Sequence, residues 1–273
     1  MGPTLPVAAL RPFVQAIWSR DAEPRGPYRE HVLPSGAMHL AIRLDAPLHL
    51  FRDAGDAHGT TLGAAMLAGA RSGFHVKRAD GGASVGAVLR PGAAQALFGI
   101  AADAIGNCHV ALEDLWHPLD VERLRDRLAC AATADERLSV LQAALLARAQ
   151  PVRAMHPAVA HAMAALRGGA AVREAVLDSG LSHRHLLLHF RDATGLSPKA
   201  YARIRRFRRA LMLMRGRTLA ELAIDAGYSD QAHLAREFRA LSGVTPRTYR
   251  VANPRGGLHV AVNFVQEPGA GTP

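Results

Sequence analysis

The chain has 273 residues, of which 49% are hydrophobic, and it carries a formal net charge of +10. Such a chain can bury a sizeable core in one or two domains and is not disordered by composition. The chain has only two cysteines, Cys108 and Cys130, which excludes a disulfide scaffold and a four-cysteine zinc protein. It has no apolar run near the roughly 20 residues that span a bilayer, which excludes a membrane protein. Residues 1–10 lack a charged segment before an apolar core, so we expect no signal peptide and a cytoplasmic protein.

The first 117 residues are patterned as a small, mostly β unit. Residues 38–44 alternate apolar and other side chains, as a half-buried strand does, and residues 48–51, 74–77 and 84–90 are further short candidate strands. Clusters of Gly, Pro and Asp separate these segments, as turns do.

One or two helices over residues 118–149 are predicted to pack on this unit. Thr133 and Glu136 have the spacing of a capping box, in which each side chain satisfies a free backbone N–H at the start of a helix. A stripe of apolar side chains follows at helical spacing: Leu138, Val140, Leu141, Leu145 and Leu146. The stripe is equally compatible with packing on the chain's own β unit and with a dimer surface.

A domain boundary is predicted near residues 150–157, where two prolines bracket a short segment. We therefore expect a β-rich domain over residues 1–150, a linker over 151–157, a helical domain over 158–252 and a tail over 253–273. In the tail, residues 258–265 have the pattern of a strand that either returns to the first-half sheet or pairs with a partner. The last eight residues are predicted to be disordered.

The positive charge is confined to the second half. Residues 1–150 contain 15 Lys and Arg and 15 Asp and Glu, whereas residues 151–273 contain 18 and 8. A gene composition that favours arginine would not explain why the first half is balanced. The asymmetry therefore predicts a polyanionic partner for the second half.

An internal repeat organises the second half. At an offset of 48, seven of the 17 positions from 185 to 201 are identical to their counterparts, and the identities include Gly195 with Gly243 and Pro198 with Pro246. Glycines and prolines placed in this way indicate a structural repeat. The expected core of the two copies comprises Leu186, Phe190, Tyr201, Leu234, Phe238 and Tyr249.

Each copy has the pattern of a helix-turn-helix. Helices over residues 172–179 and 219–226 end at Gly180 and Gly227, which can adopt positive φ. A serine two residues beyond each glycine can cap the helix that follows. An arginine-rich helix over residues 199–214 joins the two copies.

Seven arginines and no acid lie between residues 203 and 217. Like charges at helical spacing repel, so this run needs a counter-charge, and a phosphate backbone supplies one. A merely solubilising face is the alternative. The expected phosphate contacts are Arg191, Lys199, Arg203, Arg206, Arg239 and Arg247.

The second helix of each copy is the predicted base reader. In the second copy Gln231 and Arg236 are expected to face the base edges, since Gln pairs with adenine and Arg with guanine. His233 is either a base contact or a half-buried structural histidine. In the first copy the outward side chains are His183, Arg184, Leu187, Leu188 and Arg191. The two leucines either touch thymine methyl groups, pack on a partner, or leave this copy to position the protein.

The second half resembles the AraC-type transcriptional regulators. Residues 182–201 and, with higher specificity, residues 227–238 (GYSDQAHLAREF) and 243–249 (GVTPRTY) carry the resemblance, which covers about residues 157–250. It implies two helix-turn-helix units joined by one long helix, each placing a recognition helix in successive major grooves of double-stranded DNA. The positions matching the family's base-reading residues are Gln231, Ala232, Ala235 and Arg236 in the second unit and Arg184, Leu187 and Leu188 in the first, where the leucines depart from the usual polar choice.

The first half resembles the sensor domains of the same family through residues 31–36 (HVLPSG) and 112–116 (LEDLW). Those domains are often cupin-like β-barrels. The resemblance therefore implies an α+β fold class, with a mostly β, cupin-like sensor domain and packed helices in the first half. An all-α domain follows it.

A cupin-like barrel raises the question of a metal. The candidate ligands in the first half are His31, His39, His49, His75, His109 and His117. No pair has a tight motif such as His-x-His followed by a carboxylate, so we expect no metal and no cofactor. His185 and His189 have metal-ligand spacing, but the repeat indicates that they share a helix face. Cys108 and Cys130 are expected to be buried small apolar residues rather than redox sensors.

These patterns favour a sequence-specific DNA-binding transcriptional regulator whose first domain senses a signal, and not an enzyme. The implied partners are double-stranded DNA, a small-molecule effector and, for an activator, RNA polymerase; a homodimer is left open, and no membrane is implied. Two alternatives stay open. One is a metal- or cysteine-dependent enzyme or repair regulator fused to a DNA-binding module, and the other is a nonspecific DNA-binding protein.

Overall fold

The computed structural model of the chain describes residues 3–23, 27–53, 55–151, 155–253 and 256–261. Within those residues the first half is mostly β, and the second half is helical until a final strand. The predicted fold class is confirmed. Every helix in the described part of the chain is too short or too polar to cross a membrane.

Two five-stranded antiparallel sheets form the first half. The first sheet has the order β1 (Val14–Arg20), β8 (Ser84–Leu89), β3 (His39–Arg43), β6 (Ala65–Ala68) and β9 (His109–Ala111). The second has the order β10 (His259–Ala261), β2 (Tyr28–Val32), β7 (His75–Ala79), β4 (His49–Phe51) and β5 (Thr60–Thr61). The four strands predicted from the sequence are β3, β4, β7 and β8, with ends that differ by at most two residues.

The two sheets face each other across half-buried histidines. The rings of His75 in β7 and His109 in β9 lie 4.8 Å apart, centroid to centroid. Burial is the main cause that lowers the pKa of His39 and of His109 to about 4 and the pKa of His75 to about 2. The space between the sheets therefore holds neutral imidazoles at neutral pH.

Helices cover the opposite face of the first sheet. They are α1 (Ala93–Phe98), α2 (Pro118–Cys130) and α3 (Ala134–Arg148), and the predicted capping box opens α3. Leu138, Leu141 and Leu145 of α3 are buried in the same core as Leu40 of β3, while Leu146 is 40% exposed. Most of the predicted stripe thus packs on the chain's own domain, which was one of the two alternatives.

Seven helices form the second half within the described residues. They are α4 (Pro157–Gly168), α5 (Val172–Asp178), α6 (His183–Thr194), α7 (Pro198–Leu213), α8 (Leu219–Ala226), α9 (Gln231–Ser242) and α10 (Pro246–Ala252). Gly180 and Gly227 have the expected positive φ, +70° and +85°. All six predicted core residues of the repeat are buried.

One predicted helix cap is wrong. Ser182 caps α6 as expected, and its hydroxyl accepts a hydrogen bond from the His185 N–H. In the second copy the cap of α9 is Asp230 and not Ser229, because the Asp230 carboxylate accepts the His233 N–H at 2.6 Å. A carboxylate at a helix N-terminus also interacts favourably with the helix dipole.

Both helix-turn-helix units share their cores with the first half. Leu186 and Phe190 belong to the core that contains Leu40 of the first sheet. A second core joins Phe238 and Tyr249 to apolar residues of the second sheet and its flanks, Leu33 and Val260 among them. The predicted domain bounds remain a prediction, since this packing crosses them.

The predicted tail strand returns to the first-half sheet. His259–Ala261 forms β10 and pairs antiparallel with β2. The rest of the predicted strand, the predicted disorder at the C-terminus and the middle of the predicted linker lie outside the described residues.

Candidate nucleic-acid interface

Helix α9 presents its predicted base-reading face to solvent. Gln231, Ala232 and Arg236 are exposed and Ala235 is half-buried. On the opposite face Phe238 is fully buried. The exposed side chains therefore lie on one face, at the spacing with which a helix in a major groove reaches base edges.

His233 is held at the start of α9 by its neighbours. Its Nδ1 lies 3.0 Å from the Ser229 hydroxyl, and its ring meets the Tyr228 ring edge-on at 5.3 Å. The side chain is half-buried. These contacts favour the structural alternative over a base contact.

Helix α6 presents an equivalent face with different chemistry. His183, Arg184 and Arg191 are exposed, Leu188 is 61% exposed, and Leu187 is half-buried. The exposed face of the first unit is therefore part cationic and part apolar, and a histidine, His183, stands at the position of Gln231.

The arginine run of α7 is partly neutralised within the protein. Arg203 forms a two-point ion pair with Glu237 of α9, with Nε–Oε2 2.7 Å and Nη2–Oε1 3.0 Å. The hydrogen bond from Arg203 is the main cause that lowers the pKa of Glu237. Arg206 lies over the Tyr228 ring at 5.4 Å from its centroid.

Two further arginines of the run also have partners in the protein. Arg208 donates a hydrogen bond to the carbonyl oxygen of Ser35 at 3.1 Å, and Arg217 pairs with Asp225 at 2.6 Å. The expectation that the run depends on phosphate for its counter-charge is thus wrong for part of it, because acids outside the run supply the charge. Sequence reasoning missed Glu237, although it is the only acid in the sequence of α9.

Four predicted phosphate contacts are exposed and form two equivalent pairs. Arg191 and Arg239 are related by the offset of 48, and so are Lys199 and Arg247. None of the four forms an ion pair within the part of the chain that the structure describes. The repeat therefore presents one exposed cation on each recognition helix and a second at the start of the helix that follows it.

The C-terminal turn of α9 rests on the second sheet. His31 Nδ1 donates a buried hydrogen bond to the carbonyl oxygen of Ser242 at 2.9 Å, and the His31 ring stacks on Phe74 at 4.5 Å. Gly243 has a φ of +75°, and a Cβ there would approach both rings to 2.7 Å. Burial lowers the pKa of His31, and Nδ1 is the donor because the carbonyl oxygen of Ser242 can only accept.

The C-terminal turn of α6 rests on the first half in the same way. The Gly92 N–H donates to the carbonyl oxygen of Ala193 at 2.8 Å. A Cβ on Gly195, which corresponds to Gly243, would lie 2.9 Å from the carbonyl oxygen of Ala102. The first half therefore contacts both recognition helices at equivalent ends.

Strand β10 adds a third contact. Glu30 of β2 accepts from His259 Nδ1 and from Lys77 Nζ, each at 2.9 Å. Burial alone would raise the pKa of Glu30, but these two partners outweigh it and bring the pKa to about 2. The Tyr249 hydroxyl donates to the carbonyl oxygen of Gly257 at 2.7 Å, which links α10 to this strand.

Two of the candidate metal ligands, His75 and His109, lie close together, but within the described part of the chain they do not form part of a larger ligand group. Among the described residues, no group of three or more His, Cys, Asp or Glu side chains is arranged to hold a metal ion. His189 stacks on His156 at 5.2 Å, while His185 is exposed. The expectation that Cys108 and Cys130 are buried is wrong: both are exposed, because one lies in the turn before β9 and the other at the last residue of α2.

A surface cavity lies at the loop end of the second sheet. Its volume is about 460 Å³, and its lining includes Glu23, Asp45, His49, Arg78 and Asp80. Arg43 pairs with Asp80 beside it. The cavity is far in sequence from the recognition helices and belongs to the domain predicted to sense a signal.

Comparison with protein families finds a different match in each half of the chain. Residues 178–252 match a family described as "Helix-turn-helix domain", and residues 4–111 match a "Domain of unknown function (DUF6597)". The second half of the chain thus carries an AraC-type helix-turn-helix domain, and the resemblance predicted from the sequence is confirmed there.

One curated relative is similar to part of the chain. The chain is 38% identical over 78 residues to the F1 operon positive regulatory protein of Yersinia pestis, which is 28% of this chain and 26% of that protein. It therefore spans about a quarter of the length of this curated relative.

Two solved structures are also similar. An apo form of ToxT from Vibrio cholerae matches over 86% of this chain and 96% of its own, with 10% identity and a TM-score of 0.46. The DNA-binding domain of AdpA, in complex with a target DNA, matches over 37% of this chain and 93% of its own, with 25% identity and a TM-score of 0.33.

Proposed function

We propose that the chain is a sequence-specific DNA-binding transcriptional regulator and that its first half receives the signal. The observation that carries the proposal is the repeated interface. Two recognition helices with the same inward face each expose an outward face, and each is flanked by an equivalent pair of exposed cations that form no ion pair among the described residues. Phosphate contacts of this kind position a protein on DNA, and base-edge contacts give specificity.

The base contacts of the second unit are Gln231 and Arg236, with Ala232 and Ala235 close enough for apolar contacts. The phosphate contacts are Arg191, Lys199, Arg239 and Arg247. Arg203 and Arg206 are not included, because Glu237 and Tyr228 engage them. His233 positions the start of α9.

The signal reaches the DNA-binding half through the contacts at both recognition helices. A small-molecule effector that favours one arrangement of the first half shifts the DNA-binding equilibrium by its differential affinity for the two arrangements. The cavity of about 460 Å³ is the candidate effector site. The proposal assigns no catalytic step to the chain, and stoichiometric metal in the purified protein would favour the enzyme alternative.

The test is a pull-down of genomic DNA fragments followed by sequencing. Wild type is compared with the Gln231→Ala/Arg236→Ala double variant and with Arg127→Ala, an exposed arginine of α2 that serves as a charge-matched control. A single enriched motif in wild type and in the control, absent in the double variant, supports the proposal. Equal and diffuse recovery by all three proteins would contradict it and favour nonspecific binding.

A further inference from the structure

The two recognition helices correspond residue by residue, which gives each side chain of α6 a counterpart in α9. Both helices have 12 residues, and the offset of 48 relates their caps, Ser182 with Asp230 and Gly195 with Gly243. The same offset pairs Leu188 with Arg236. Leu188 therefore occupies the position at which the second unit presents its proposed guanine-reading side chain.

Leu188 is an exposed apolar side chain on the outward face of α6. It is 61% exposed, whereas its neighbour Leu187, which corresponds to Ala235, is half-buried. Arg184 lies one turn before Leu188 and Arg191 lies about one turn after it, and both are exposed. An apolar side chain thus stands between two cations on the outward face of the helix.

A partner that complements the outward face of α6 is anionic at its edges and apolar at its centre. Phosphates on either side of the DNA major groove match the two arginines, and the thymine C5-methyl group is the apolar feature that base edges present in that groove. A protein partner with an acidic surface would satisfy the arginines but would leave the equivalence with Arg236 unexplained.

We propose that Leu188 determines specificity in the first unit by contacting a thymine C5-methyl group. The inference rests on the proposed function and names the base that the first recognition helix reads. The two units then read by different chemistry, apolar contact in the first and hydrogen bonding in the second.

Deoxyuridine substitution tests the contact because it removes only the methyl group from the base. Each thymine of the enriched site is replaced in turn by deoxyuridine, and Kd is measured for wild type, Leu188→Ala and Leu177→Ala. Leu177 is a matched control, since it is 69% exposed and lies on α5, outside the recognition helix. Because both leucines are exposed, neither variant should lose its fold, which circular dichroism checks.

We expect one thymine, or two adjacent ones, at which deoxyuridine weakens wild-type binding about fourfold, the value for loss of one buried methyl-sized group. Leu177→Ala should keep this sensitivity, and Leu188→Ala should lose it. Specific binding by wild type without sensitivity at any thymine would overturn the inference and leave the proposed function intact. The inference would also be overturned if Leu188→Ala were as sensitive to deoxyuridine as wild type. A changed oligomeric state of Leu188→Ala, with no thymine sensitivity in wild type, would overturn it as well. Absence of any preferred site would overturn both proposals.

Discussion

Arg203 and Arg239 carry the same charge but have different surroundings. Arg203 is held by both oxygens of Glu237, and Arg239 is exposed without an ion pair among the described residues. Arg203 therefore links α7 to α9, and Arg239 is available to contact phosphate.

The salt dependence of DNA binding separates these roles. Arg239→Ala should lower the slope of log K against log salt by about 1, the value for one lost phosphate contact. Arg203→Ala should leave the slope unchanged but lower the free energy of unfolding by about 1 kcal/mol, because its ion pair is partly exposed to solvent. Titrations at several salt concentrations and urea unfolding of both variants measure the two effects. A lowered salt slope in Arg203→Ala, together with an unchanged slope and a lowered free energy of unfolding in Arg239→Ala, would show that Arg203 contacts DNA.

At the scale of helices, the sequence predicts most of the second half because its signals are local. Glycine turns, apolar spacing and the offset of 48 all lie within short windows, and five of the seven helices described in that half, α5 to α9, follow from them. The cap of α9 was missed for a local reason as well. Ser229 and Asp230 are adjacent and both can cap, so composition does not decide between them.

Capping substitutions test the register of the two recognition helices. Ser182→Ala should lower the free energy of unfolding by about 1 kcal/mol, because it leaves the His185 N–H without its acceptor. Asp230→Ala should also destabilise, whereas Asp230→Asn should retain most of the stability and Ser229→Ala should cost less than Asp230→Ala. Thermal unfolding of the four variants provides the comparison. A larger loss in Ser229→Ala than in Asp230→Ala would mean that the serine is the cap.

At the scale of the whole molecule, the contacts that join the two halves could not be predicted. His31 and Ser242 are 211 residues apart, and nothing near either residue signals the other. The pairing of β10 with β2 is equally remote, so the sequence left two alternatives for that strand. For the same reason no feature of the sequence indicates that the half-buried histidines between the sheets lie together, and from the sequence they are only candidate metal ligands without a tight motif.

Removal of β10 tests whether this strand stabilises the packing of the second helix-turn-helix unit on the second sheet. A chain ending at Asn253 should show faster amide hydrogen exchange at Leu33, whose N–H donates to the carbonyl oxygen of Leu258, and in β2. A chain ending at residue 265 retains β10 and serves as the control. Unchanged exchange in the shorter chain would mean that the strand contributes nothing to the order of this edge.

The half-buried histidines between the sheets predict a loss of stability in acid. The pKa values of His39, His75 and His109 are lowered from about 6.5 to about 4, 2 and 4 in the folded protein. As pH falls below about 6.5, the unfolded chain takes up protons that the folded chain does not, so the folded state loses about 1.4 kcal/mol per pH unit for each histidine. The loss ends near pH 4 for two of them and continues toward pH 2 for His75.

Urea unfolding at about pH 7.5, 6 and 5 measures this dependence. The variant His75→Gln should show a shallower fall than wild type, while His161→Gln, an exposed change on α4, should not alter it. A free energy of unfolding that stays constant over this range would contradict the burial of these three rings.

A competition experiment at one recovered site tests whether α9 reads the bases. Labelled site DNA is competed with unlabelled site DNA and with a shuffled sequence, at one salt concentration, for wild type and for the Gln231→Ala/Arg236→Ala variant. Wild type should prefer its site by about a thousandfold or more, and the variant should lose most of this preference while it still binds shuffled DNA through its phosphate contacts. A variant that keeps the wild-type preference would contradict the account, because the bases would then be read elsewhere.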